Sequence, residues 1–216
     1  MEFFIDTANL SEIKQASDWG VLDGVTTNPS LVSKEGVGDF KAHVQKICAV
    51  VSGPVSVEVV ALDYEGMLRE AGEYVKWAKN VVIKLPMTYE GVRACKILSE
   101  KKVRVNMTLL FSANQALLAA KAGATYASVF LGRLDDAGHD GMQVVRDAVQ
   151  IYENYGFETK VLAASIRHPL HVHQAALCGA HVSTVPFGVL QKLFQHPFTD
   201  KGLKAFLDDW AKLKKQ

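Results

Sequence analysis

Cysteine is scarce in this chain. The three present, Cys48, Cys95 and Cys178, lie far apart. An odd, dispersed set argues against a disulfide framework or a thiolate zinc site and suits reduced thiols in a cytosol. A surplus of charge is lacking too: 24 Lys+Arg against 23 Asp+Glu leave a formal +1. A dedicated nucleic-acid binder would need a basic face for the phosphates, so none is expected as a partner. No apolar run approaches the roughly 18 residues needed to span a bilayer. The opening Met1-Glu-Phe-Phe-Ile-Asp6 shows no basic region and no cleavage site, so the expected location is cytoplasmic, with no membrane partner. Linkers, low-complexity tracts and composition shifts are missing as well, which predicts one domain over 1–216. No Gly-x-Gly-x-x-Gly or Walker-type loop follows a strand, so no nucleotide cofactor is indicated.

What the chain does contain is alternation. Short runs rich in Val, Ile and Phe recur at Phe3–Asp6, Gly24–Thr27, Val55–Val60, Val81–Leu85, Val103–Thr108, Tyr126–Phe130, Lys160–Ala164 and His181–Val185. Their length and composition are those of buried parallel strands. Between them lie helical stripes: Val44, Ile47, Cys48 and Val51, then stretches over Gly66–Trp77, Gly91–Leu98, Asn114–Ala122, Met142–Tyr155 and His168–Leu177. Asn9-Leu-Ser-Glu12 reads as a capping box. Eight strands alternating with helices predict a (β/α)8 TIM barrel, short for that fold. A doubly wound open sheet is the competing fold, but it would normally use five or six strands. The tail 198–216 exceeds eight repeats. Its stripe of Leu203, Phe206, Leu207 and Trp210 predicts an extra C-terminal helix docked on something, such as a neighbouring subunit.

Strand side chains alternate between two faces. Val55, Val57 and Val59 oppose Ser56 and Glu58; Val81, Ile83 and Leu85 oppose Val82, Lys84 and Pro86; Val103, Val105 and Met107 oppose Arg104, Asn106 and Thr108; Ala127 and Val129 oppose Ser128 and Phe130. With the apolar face toward the helices, Asp6, Asn28, Glu58, Lys84, Thr108, Ser128 and Phe130 gather at the C-terminal mouth, where barrel active sites lie. One buried polar residue would be a satisfied core group. Two carboxylates, an amide, a lysine and hydroxyls on successive strands each carry a desolvation cost that demands a use.

Lys84 stands out, flanked by apolar residues in Val81-Val-Ile-Lys-Leu-Pro86. Lysine is rarely buried, and burial disfavours the ammonium form. An unprotonated amine is the nucleophile for a Schiff base with a carbonyl substrate. Asp6 is the candidate acid/base for breaking the neighbouring carbon–carbon bond, and Glu58 with Thr108 could hold the water exchanged during imine formation. The iminium is then the electron sink, so no metal and no cofactor is required. The bland reading of Lys84 is an edge position facing solvent, or a simple ion pair with Glu58. Arg133, Ser165 and Arg167 follow strands six and seven, the usual phosphate region of this fold. The arginines could instead pair with Asp135 or Asp136. His168, His171 and His173 do not share one helix face, so they read as surface or capping groups rather than a metal site. Asp135–Gly141 lacks the spacing of a calcium loop and reads as a solvated loop opening a helix.

Five segments together resemble the transaldolase family: Phe4-Ile-Asp-Thr-Ala-Asn9, Gly24-Val-Thr-Thr-Asn-Pro-Ser30, Val57-Glu-Val59, Val82-Ile-Lys-Leu-Pro-Met-Thr88 and Ala163-Ala-Ser-Ile-Arg167. The similarity is to its small subfamily of transaldolase-like proteins and fructose-6-phosphate aldolases, and it spans essentially the whole chain. It implies a class I aldolase barrel with Lys84 as Schiff-base residue and Asp6 as acid/base. It also implies Glu58 and Thr108 on the catalytic water, and Asn28, Asn106 and Ser128 on the substrate hydroxyls and the lysine. Arg133, Ser165 and Arg167 would take the phosphate. Small members are typically decamers of two pentamer rings, so self-association and sugar-phosphate substrates are the expected partners. Glu at 58 and Phe at 130 resemble the transaldolases, whereas the aldolases typically carry Gln and Tyr there. The resemblance therefore implies transfer of a dihydroxyacetone unit in the pentose phosphate pathway, with simple fructose-6-phosphate cleavage as the alternative. A barrel that binds a sugar phosphate without chemistry is the reading of a different class, and would be expected to lack Lys84 or Asp6.

Overall fold

Apolar alternation on both sides of a strand needs two cores, and a closed barrel supplies them. The structure, a computed structural model, describes residues 1–214. Strands β1 (Glu2–Asp6), β2 (Gly24–Thr26), β3 (Val55–Glu58), β4 (Val81–Pro86), β5 (Val105–Leu110), β6 (Tyr126–Phe130), β7 (Lys160–Ala164) and β8 (Val182–Val185) pair in sequence order. All pairs are parallel, and β8 closes on β1. The outer core sets Val55, Val57, Val81, Ile83, Leu85, Val105, Met107, Ala127 and Val129 against the helices. The inner core consists of Phe4, Val82, Tyr126, Leu162, Ala164 and Val182, with Phe130 partly buried at its edge. The predicted barrel and the predicted facing of these strands are both observed.

The helices are α1 (Leu10–Asp18), α2 (Pro29–Lys34), α3 (Phe40–Val50), α4 (Tyr64–Tyr74), α5 (Tyr89–Glu100), α6 (Ala113–Lys121), α7 (Leu131–Asp136), α8 (Gly141–Tyr155), α9 (Pro169–Leu177), α10 (Phe187–Lys192) and α11 (Pro197–Leu213). Eight start on a side-chain cap, from Asn9, Asn28, Asp39, Asp63, Thr88, Ser112, Asp140 and His196. Each such cap satisfies an N–H that the helix cannot, worth about 1 kcal/mol. The predicted capping box is only half formed. Asn9 accepts from Ser11 and Glu12, but the Glu12 carboxylate takes the Thr7 hydroxyl, and Thr7 Oγ1 accepts the Asn9 N–H.

Three other boundaries differ from expectation. The fifth strand begins at Val105, because Lys102 turns at φ +60° and Val103 is held by the end of α5. It runs on to Leu110 through a register shift, with Leu109 at φ +62°. The third strand stops at Glu58. The acidic segment expected to be a solvated loop is partly helical: α7 reaches Asp136, and Asp135 accepts the Gly141 N–H that starts α8.

The extra C-terminal helix is present as α11. None of its described residues is buried, and Phe198, Leu203, Phe206, Leu207 and Trp210 are all exposed. The last two residues of the expected tail, 215–216, lie outside the described residues. Among the described residues no helix is long and apolar enough to cross a membrane.

Candidate active site

The C-terminal mouth of the barrel holds a cavity of about 150 Å³. Its wall includes Asp6, Asn28, Lys84, Ser128, Phe130, Arg133, Ser165 and Arg167. These eight of the eleven candidate residues come from the ends of five different strands, β1, β2, β4, β6 and β7. Glu58, Asn106 and Thr108 stand behind this wall rather than in it.

Lys84 is 4% exposed. Its Nζ lies 2.8 Å from Glu58 Oε2 and donates to the Thr27 carbonyl at 3.0 Å. The Glu58–Lys84 pairing follows directly from the β3–β4 register, which sets those two residues side by side. The solvent-facing reading of Lys84 is overturned, because every strand here has two neighbours and the lumen side is closed by protein. The ion pair with Glu58 is real, and it sits at the cavity rather than on a surface.

Asp6 ends β1 beside this pair. Its carboxyl opens on the cavity but is otherwise surrounded by protein, and that burial pushes its pKa above the usual carboxylate value. Lys84, the Thr26 hydroxyl and Arg133 pull it back, while Glu58 adds to the rise. Thr26 Oγ1 donates to Asp6 Oδ1 at 2.7 Å and lies 2.6 Å from Thr184 Oγ1. The Thr26 proton is committed to Asp6, so Thr184 is the donor in the second bond. Thr26 and Thr184 also line the cavity. Neither was singled out from the sequence, although Thr26 shares its strand face with Asn28.

Asn106 is fully buried and donates to Ser56 at 3.1 Å, while Ser128 donates to its Oδ1 at 2.7 Å. This amide is a strut between strands β3, β5 and β6, and its protein partners are Ser56 and Ser128. Asn28 caps α2 through its Oδ1, which leaves its amide N–H groups free to donate into the cavity. Thr108 Oγ1 is buried and finds no protein partner among the described residues.

At the other side of the cavity, Arg133 lies over the Phe130 ring with its guanidinium carbon 4.9 Å from the centroid. Among the described residues no carboxylate pairs with it within 4 Å. Arg167 is different: it donates to Asp136 at 2.7 Å, as one reading of the sequence had it. Ser165 adopts a left-handed conformation, φ +61°, and its carbonyl packs against Gly132, where a Cβ would come within 1.9 Å of it.

The histidine reading needs correction. His168 and His173 are exposed, but His171 is 4% exposed and bonded on both nitrogens. Its Nε2 lies 2.9 Å from Asp135 Oδ2, and its Nδ1 accepts the Arg167 N–H at 3.3 Å. Its place in the first turn of a helix gave no hint of that burial. Among the described residues there is no group of three or more His, Cys, Asp or Glu that could hold a metal ion.

Comparison with known proteins gives the family. The chain matches the profile of the transaldolase/fructose-6-phosphate aldolase family over residues 3–216. It is 58% identical over 210 residues to a probable transaldolase of Methanococcus maripaludis, covering 97% of each chain. It is 57% identical over 215 residues to a probable transaldolase of Kosmotoga olearia, covering 100% of this chain and 98% of that one. A third probable transaldolase, from Anaeromyxobacter, is 58% identical over 216 residues, the full length of both. Among solved structures, thiamine phosphate pyrophosphorylase from Pyrococcus furiosus superposes with a TM-score of 0.57 over 86% of this chain and 85% of its own, at 14% identity, a likeness of fold alone. With relatives this similar along their whole length and a family profile that runs the length of the barrel, the chain belongs to the transaldolase/fructose-6-phosphate aldolase family.

Proposed function

We propose that the protein is a transaldolase. It moves a dihydroxyacetone unit from a ketose phosphate, sedoheptulose 7-phosphate or fructose 6-phosphate, to an aldose phosphate, glyceraldehyde 3-phosphate or erythrose 4-phosphate. The observation that carries this reading is the buried Lys84 amine, 2.8 Å from Glu58, at a cavity that Asp6 also lines.

Glu58 is the base in reach of the Lys84 ammonium. Once it takes a proton, the amine adds to the ketose C2 carbonyl, and loss of water gives the iminium. Thr108, with a buried hydroxyl lacking a protein partner, suits the water that leaves here and returns at the end. The Asp6 carboxylate removes the proton from the C4 hydroxyl. The C3–C4 bond breaks, its electrons move into the iminium, and an enamine on Lys84 and a free aldose phosphate result. A second aldose phosphate takes the enamine carbon at its aldehyde carbon, and Asp6 returns its proton to the new alkoxide. Hydrolysis of the new iminium frees the product. An Asp6 pKa above the ordinary carboxylate value brings it closer to the working pH, which favours both directions of proton transfer.

The phosphate end is assigned to Arg133, Ser165 and Arg167. Arg133 carries a guanidinium with no acidic partner among the described residues, and Arg167 would trade Asp136 for the substrate. Incubation with fructose 6-phosphate and borohydride, followed by peptide mapping, tests the reading. The label is expected on the Lys84 peptide. A label on another lysine that persists in Lys84→Ala would overturn it.

The assembly is assigned to α11. Its exposed apolar stripe is larger than isolated surface residues account for, and a second copy of this chain is the partner that suits it. Light scattering should report a large ring assembly for the whole chain. A monomer at micromolar concentration would refute this.

A further inference from the structure

We propose that His171 is a positioning residue that clamps the phosphate-binding loop onto α7. The inference rests on the assignment of Arg133, Ser165 and Arg167 to the phosphate.

Those three residues come from two separate segments. Arg133 belongs to α7, whereas Ser165 and Arg167 belong to the loop between β7 and α9. A phosphate gripped from two segments is gripped well only when their spacing is fixed in advance. Two contacts fix it here. The Ser165 carbonyl rests against Gly132, the residue before Arg133. The second contact is His171, which reaches from α9 to both segments at once: Nε2 to Asp135 on α7 and Nδ1 to the Arg167 backbone N–H.

The bonding pattern dictates one form of the ring. Arg167 N–H is a donor, so Nδ1 must be bare. Nε2 then carries the proton and donates it to Asp135. The imidazole is therefore neutral. Burial, followed by the neighbouring His168 ring, holds its pKa below the usual histidine value, against the pull of Asp135. Asp135 is in turn oriented by the Gly141 N–H. The chain Gly141–Asp135–His171–Arg167 thus links the start of α8, α7, α9 and the loop. It leaves the Arg167 guanidinium, which among the described residues is tied only to the exposed Asp136, free to move while its backbone stays.

His171 itself does not line the cavity, so its loss should weaken phosphate recognition without touching the amine. His171→Ala should raise KM for fructose 6-phosphate and the inhibition constant of inorganic phosphate by about tenfold, the scale of one structural hydrogen bond. The rate of borohydride trapping of unphosphorylated dihydroxyacetone on Lys84 should stay within about twofold of the parent's, because that reaction needs no phosphate grip. His171→Asn offers an oxygen where Nδ1 stood and should recover most of the loss. His171→Gln places its amide nearer Nε2 and should recover less. Should His171→Ala fail to fold, the Asn and Gln variants carry the test alone. Equal phosphate inhibition in both and in the parent, or equal losses on phosphate binding and on dihydroxyacetone trapping, would overturn the clamp. Arg167→Ala serves as the control for the underlying assignment. If it too leaves phosphate inhibition unchanged, the phosphate assignment has failed. If it weakens inhibition and the histidine variants do not, only the clamp has.

Discussion

The two ends of the barrel lumen are built from the same strands and do opposite work. At the lower level the inward side chains are Phe4, Val82, Tyr126, Leu162 and Val182, packed as one small apolar core. Two residues further along the same strands they become Asp6, Lys84, Ser128, Ala164 and Thr184. One pleat repeat, about 7 Å of rise, separates them. The floor stabilises by excluding water. The mouth accepts charged groups that burial disfavours, and the ion pair and hydroxyl chains around Lys84 and Asp6 offset part of that cost. Substitutions at the two levels should therefore separate activity from stability.

The sharpest separation is expected at Lys84. Lys84→Met keeps the length of the side chain and removes the amine. Transfer should fall by roughly 10⁴-fold or more, as when a covalent nucleophile is lost. Far-ultraviolet circular dichroism should remain that of the parent. Residual transfer within about tenfold of the parent would mean that another group carries the adduct.

Asp6→Asn should cost on the order of 10³-fold in kcat, the range of a lost acid/base, and yet stabilise the fold. The native carboxyl has a raised pKa, so the folded chain holds this proton to higher pH than the unfolded chain does. Its contribution to stability is therefore favourable at low pH and lost as pH rises through the native value. Asn stays neutral throughout. The melting temperature of the variant should exceed the parent's by a margin that grows from pH 4 toward pH 8. A margin that shrinks over that range would show the ionised carboxylate to be stabilising.

Phe4→Ala reverses the pattern. The ring is fully buried and meets Tyr126 edge to face at 5.6 Å. Its removal should cost about 3–5 kcal/mol in chemical denaturation. The kcat per folded molecule should hold within about twofold, because chemistry sits one level up. A large drop in kcat at unchanged stability would erase the distinction between floor and mouth.

The distinction is legible in the sequence wherever a strand is regular. Period-two alternation fixes the inward parity of Glu58 and Lys84, and the parallel register then sets them side by side. It fails where backbone or partner choice intervenes. The left-handed Leu109 and the register shift after Met107 belong to a bulge that no residue type in Val105–Leu110 announces. Asn106 has the inward parity that alternation requires, but parity does not announce that Ser56 and Ser128 bond to its amide. That depends on which short side chains stand on two other strands. Arg167 and His171 depend on α7, a six-residue helix within a segment whose acids and glycines read as loop. Contacts between separate loops leave no periodic trace.

The smallest effect, and the one that decides between the two activities of the family, concerns Phe130. After cleavage the three-carbon unit waits on Lys84 as an enamine. An aldehyde acceptor can take it, or it can be protonated and hydrolysed to dihydroxyacetone. Hydrolysis needs a proton donor at the cavity wall. Phe130 supplies none: it ends β6 inside the cavity, packs on Phe111 with centroids 5.9 Å apart, and carries the Arg133 guanidinium on its face. In the proposed mechanism Glu58 by then holds the Lys84 proton but stands behind the cavity wall, and Asp6 holds the C4 proton that the acceptor's alkoxide will take. The enamine should therefore persist until an aldehyde arrives. Phe130→Tyr leaves the ring contacts in place and adds one hydroxyl at that wall. It should raise dihydroxyacetone release relative to transfer by about tenfold, which corresponds to about 1.4 kcal/mol between the competing barriers. One hydrogen bond to a charged group is enough for that. Parallel assays of transfer and of free dihydroxyacetone on the same sample measure the ratio. If the unmodified protein already releases dihydroxyacetone as fast as it transfers it, the aldolase reading replaces the transaldolase one.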